Sequence, residues 1–190
     1  MEATTRERIV AAASKLFYAQ GIRAAGMELI AEKAGVTKRT LYYHFRSKDD
    51  LVEAYLQSRD QPNIALFRRW FSEAPGNFAE KTRAIFTNLA TSARHPKWKG
   101  CGFLRTAAEL ANMPGHPAIK AGAAHKKSFE RWMNEEASAA GIPGSQALAR
   151  QIMLLLDGAF AVSQLHRDPS YMETAGEAAH ALIQAALPHR

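Results

Sequence analysis

A chain of 190 residues, 47% hydrophobic and 23% charged, has the composition of an ordinary folded protein and is long enough for a small head and a larger body. Its single cysteine, Cys101, excludes an internal disulfide and a multi-cysteine zinc site. The net charge of +7 is uneven: residues 1–48 carry nine Lys/Arg against four Asp/Glu, which is the electrostatic footprint of a segment that meets a polyanion.

Alanine is abundant, β-branched residues are sparse, and no stretch alternates apolar and polar residues over six positions, so the expected fold is all-α, with about nine helices. Ile9, Ala12, Ala13, Leu16 and Phe17 fall on one helical stripe, with Thr5 as the expected cap and Gly21 as the stop. A short second helix is expected from about Met27 to Ala34, with Gly26 before it and Ile30, Ala31 and Ala34 inward. Gly35 supplies a turn residue tolerant of positive φ, and Thr37 caps a third helix that runs to about Phe45, anchored by Val36, Leu41 and Phe45. Two short helices joined by such a turn make a helix-turn-helix.

Ser47 caps the next helix, and Asp49 and Asp50 sit in its first turn, where the helix dipole favours acids. Pro62 is expected to kink or split that helix, and Pro75-Gly76 to end it. Further helices are expected at about 78–94, 103–112, 117–139, 145–166 and 170–187, with a clean break at Gly141-Ile142-Pro143-Gly144. No apolar stretch reads as a membrane span, the longest run lying near Ile152–Leu156, and the N-terminus lacks the apolar run of a signal peptide. The expectation is a soluble, cytoplasmic protein with no membrane partner.

Read outward, the third helix leaves Lys38, Arg39, Thr40, Tyr42, Tyr43 and His44 on its exposed arc or at its margins. Arg and Lys donate to guanine O6 and N7 in the major groove, while hydroxyls, His and helix-start amides donate to phosphate oxygens and fix the register. Double-stranded DNA is therefore the expected partner. A helical ligand-binding or protein-interaction module without specific DNA binding is the alternative reading.

Gly21, Ile30-Ala31, Ala34-Gly35-Val36, Thr40 to Phe45 and Ser47-Lys48 before an acidic helix start together resemble the N-terminal domain of the tetracycline-repressor (TetR) family of transcriptional regulators. The resemblance is close over about fifty residues and beyond them rests on helix number and length. It implies a DNA-binding head at 1–47 and a ligand-binding and dimerisation body at 48–190. It implies that Lys38 and Arg39 approach bases, and that Thr37, Tyr42, Tyr43, His44 and Lys48 contact phosphates. Arg39 stands where Gly is common in the family, and Ala25-Gly26 where Ser or Thr is usual.

A single head reads few base pairs, so a palindromic operator calls for two heads about one helical turn apart, roughly 34–36 Å. Leu148, Ile152, Leu155, Ala159 and Val162 on the eighth helix, with Ala178 and Leu182 on the ninth, are the expected homodimer interface. By the resemblance the middle helices surround a cavity for an unidentified small-molecule effector. Its expected walls are Trp70, Phe86, Leu89, Phe103, Phe129 and Trp132, with Arg105, Glu109 and Gln164 as polar groups; taken singly, each aromatic also reads as plain core. Cys101 between two glycines and near Lys97 and Lys99 reads either as a buried small residue or as a sensing thiol. No metal or other cofactor is expected, because no histidine pair has ligand spacing. No nucleophile elbow, phosphate loop or acid–base pair points to an enzyme.

Overall fold

The computed structural model describes residues 3–188, so the outermost residues of the expected head and body lie outside the described residues. The described chain is all-helical, with nine α-helices and no strand. It divides into two compact units: residues up to Gln61 together with Cys101–Ala124, and Pro62–Gly100 together with residues from His125 onward.

In the first unit, α1 (Thr5–Gln20) begins one residue earlier than expected. Thr4, rather than Thr5, is the cap: its hydroxyl accepts from the Glu7 amide at 3.2 Å, and the Glu7 carboxylate accepts from the Thr4 amide at 2.8 Å. The reciprocal pair needs an acid three residues after the cap, and only Thr4 has one. Ile9, Ala13 and Phe17 are buried, and Gly21 closes the helix at φ +88° with its N–H on the Phe17 carbonyl. Next come α2 (Met27–Ala34) and α3 (Lys38–His44). Between them Gly35 adopts the left-handed conformation, φ +65°, and its amide and that of Val36 close on carbonyls of the last turn of α2. The Thr37 hydroxyl accepts from the Thr40 amide at 3.1 Å. Leu41 and Phe45 are buried beneath α3.

The following helix, α4 (Lys48–Glu73), runs without a break through Pro62, so the expected split does not occur. Proline removes one backbone donor and crowds the preceding turn, at a cost of about 3 kcal/mol. Buried residues on either side of it, Leu56 and Ile64 among them, offset that cost within one long helix. The boundary between the two units nevertheless falls at this proline.

The second unit holds α5 (Phe78–Ala93), capped by the Asn77–Glu80 box, together with α8 (Ser145–His166) and α9 (Ser170–Ala186). Between Ala93 and Ser145 lie α6 (Gly102–Glu109), in the first unit, and α7 (Pro117–Ala139), which starts in the first unit and ends in the second. In the second unit α9 packs on both α5 and α8. At Gly176 a Cβ would stand 2.8 Å from the Phe86 Cβ, so this part of the contact requires glycine. Phe67, Phe71, Phe129 and Trp132 form an edge-to-face aromatic cluster with centroids 5.4–5.8 Å apart. One helix, α8, is after all long and apolar enough for a membrane span by length and composition, contrary to the reading of single runs. Its apolar residues are spread around the helix, one side buried against α9 and the other open.

Candidate nucleic-acid interface

The exposed arc of α3 is built from the bottom up. Leu41 is 0% exposed and fixes the rotation of the helix, which turns Lys38, Arg39, Tyr42 and Tyr43 to the surface. Tyr43 is 85% exposed, and its ring meets that of His44 edge to face at 5.3 Å. Thr40 and His44 lie at the margins, half-buried, and the Thr37 and Thr40 hydroxyls are 2.8 Å apart.

Two cations of the arc differ in their surroundings. The Lys38 ammonium pairs with the Glu28 carboxylate of α2 at 2.6 Å; that bond raises the lysine above its ordinary pKa and lowers the glutamate below its own. Both groups are solvated, so the pair is a weak one that an incoming phosphate or base can displace. Arg39 is exposed, and among the described residues no ion pair engages it. Lys48, at the start of α4, donates to the Arg23 carbonyl at 3.3 Å, and partial burial lowers its pKa.

Sequence reasoning missed what holds the loop between α1 and α2. From α6, Arg105 donates to the Tyr18 carbonyl at 2.7 Å, and the Glu109 carboxylate accepts from the Arg23 amide at 3.0 Å. Gly21 lies under that carboxylate, where a Cβ would be 2.9 Å from it. Both side chains, read from sequence as polar groups of an effector pocket, are thus committed to backbone of the head. Phe103 is buried in the same unit. In the second unit Phe86, Leu89, Phe129 and Trp132 are buried, Trp70 is half-buried 5.8 Å from the Phe67 ring, and Gln164 is exposed. The residues expected around one effector therefore fall in two units. His116, also unassigned from sequence, caps α7 by accepting from the Ala118 amide at 3.0 Å, while its Nε2 lies 3.2 Å from Asp49.

The open side of α8, with α9, forms an apolar groove of about 500 Å³. Leu155, Ala159, Val162, Ala178 and Leu182 line it. Leu148 and Ile152, also expected at the interface, do not line it and are buried, at 5% and 0% exposed. Leu154, 67% exposed, and Tyr171 take their place in the groove.

Residues 9–55 match the family model described as bacterial regulatory proteins, tetR family. Over 58 residues, 30% of the chain, the sequence is 47% identical to the transcriptional regulator SrpR of Pseudomonas putida. Over 94 residues, 47% of the chain, it is 41% identical to the regulator TtgR of the same species. These matches span 27% and 45% of the two relatives' own lengths. A TetR-family transcriptional regulator of Streptomyces coelicolor, known from its crystal structure, is 32% identical and superposes with a TM-score of 0.84 over 96% of this chain and 95% of that one.

Proposed function

The chain belongs to the TetR family of transcriptional regulators, and from that membership we propose that it acts in the cytoplasm as a homodimer that grips a palindromic operator and lets go when a small molecule binds its body. Proteins of this family are regulators of transcription and not enzymes. The observation that carries the DNA reading is the arc of α3, where Lys38, Arg39, Tyr42 and Tyr43 stand exposed on a helix that Leu41 holds from below. Lys38 and Arg39 are assigned to base edges, and Thr37, Thr40, Tyr42, Tyr43, His44 and Lys48 to the sugar–phosphate backbone. The apolar groove of α8 and α9 supports pairing of two chains through a four-helix contact.

The effector must favour one arrangement of the heads over the other by several kcal/mol to reverse occupancy, on the order of 5.5 kcal/mol for a complete switch. Because α4 runs from Lys48 to Glu73 across the boundary between the units, it is the assigned carrier of that preference.

Selection from random duplexes followed by a salt titration tests the reading. An inverted repeat should emerge, and its affinity should fall by roughly 10³ to 10⁵ between 50 and 200 mM salt for six to ten phosphate contacts. No enrichment over scrambled competitor, or an affinity indifferent to salt, would leave only the interaction-module alternative. Arg39→Gly is expected to weaken operator binding by about 1–3 kcal/mol and to do so only where the half-site carries the guanine that Arg39 reads. Binding of a panel of operator variants to both proteins checks this; equal relative losses at guanine positions would remove Arg39 from base readout.

A further inference from the structure

The end of α5, the loop after it and the end of α8 form a separate cavity of about 420 Å³, wholly within the second unit. Its walls include Arg94, Trp98, Lys99, Ser163, Gln164 and Arg167. We propose that this cavity is a binding site for a small organic anion, a carboxylate or phosphate carried on a ring or short apolar body.

Charge gives the ligand its sign. Arg94, Lys99 and Arg167 all line the cavity, and no carboxylate does. Glu173 pairs with Arg94 at 2.6 Å and so partly occupies that arginine, and the neighbouring Asp168 accepts from the Ser170 amide at 2.9 Å. Among the described residues no ion pair engages the Arg167 guanidinium. Cations near the C-termini of α5 and α8 also complement the helix dipoles, and that role alone would need no cavity. The cavity separates the two readings, because cations placed only to complement helix ends need no space walled by Trp98, Pro96 and Pro169 beside them. Ser163 is also one of the lining residues, with its hydroxyl enclosed and without a hydrogen-bond partner.

The backbone points the same way. Among the described residues Arg167 is the only non-glycine with positive φ, at 54°. It ends α8 in the left-handed conformation that glycine adopts without strain. An arginine at this position forgoes the ease of glycine and places its side chain on the cavity wall. Trp98 and the neighbouring Pro96 and Pro169 supply flat apolar wall, the Trp98 ring stacked on Phe160 at 6.4 Å. Gln164 lies directly over Gly100, whose positive φ and missing Cβ leave room for the amide. The volume suits a small-molecule site.

Calorimetric titration of the full chain, without DNA, with benzoate and with phenyl phosphate tests the site, and benzyl alcohol serves as the neutral probe. At least one acid is expected to bind saturably at millimolar concentration or below and the alcohol not to; which acid binds distinguishes carboxylate from phosphate. Arg167→Gly should weaken that binding by about tenfold or more while leaving the melting temperature unchanged or higher, because it removes a charge and relieves the turn. Binding by neither acid, equal binding of the alcohol, or an Arg167→Gly protein with unchanged affinity overturns the proposal. Since no outcome involves an operator, each leaves the DNA-binding reading standing or falling on its own test.

Discussion

Gly158→Glu is expected to yield a folded chain that sediments as a monomer and binds operator roughly a thousandfold or more weakly than the parent, the span between specific and non-specific affinity. The reason lies in what glycine does at this position. Gly158 sits in the interior of α8, where glycine costs about 1 kcal/mol relative to alanine. Within its own chain nothing lies within 4 Å of where a Cβ would be, so the protomer has no need of the missing side chain. Gly176 is the contrast, since a Cβ there would strike Phe86. Gly158 lines the open apolar groove with Leu154, Val162 and Leu182, and under the proposed pairing it is where a helix of the second copy would approach closely. Gly158→Ala, the milder change, should stabilise the monomer's helix slightly and still weaken the dimer. Sedimentation and operator binding measured together decide the matter. A Gly158→Glu protein that remains dimeric with parental affinity would show that the groove is not where the chains meet.

Leu41→Ala should unfasten the recognition helix. The residue is fully buried, and Leu→Ala changes at such sites cost about 2–5 kcal/mol through lost burial and the cavity left behind. A helix of only seven residues has no stability of its own, so its position depends on what it packs against. Operator affinity is therefore expected to collapse together with a fall in the melting temperature. Leu41→Met, which keeps the volume, should cost less than about 1.5 kcal/mol and retain binding. If Leu41→Ala melted and bound as the parent does, Leu41 would not be the anchor that turns Tyr43 and Arg39 outward.

Much of the head is legible in sequence because its signals are local. Gly35 in a left-handed turn, Thr37 as a cap and Leu41 as an inward residue each follow from a few neighbouring residues. Even the one-residue error at α1 had a local remedy, since Thr4 and Glu7 stand in the spacing of a capping box and Thr5 has no such partner. Pro62 was harder: its cost is local, but whether a helix tolerates it depends on burial along the whole of α4.

The body resists the same treatment. Helix α8 is apolar over so wide an arc that periodicity leaves Leu148 and Leu154 equivalent, and only packing against α9 assigns the first to the core and the second to the surface. Arg105 and Glu109 are polar residues on a short helix until the fold brings backbone from Tyr18 and Arg23 to them, more than eighty residues away in sequence. Ser163 is buried without a hydrogen-bond partner because of how α8 packs, which its sequence neighbours do not fix. The amino-acid sequence by itself determined where the helices lie, their ends to within a few residues, and the chemistry of the arc on α3, because these depend on interactions within a turn or two of the chain. Which apolar face is spent on the core, which polar groups are engaged and where a cavity remains were decided by tertiary structure, because those depend on contacts between residues that the sequence keeps far apart.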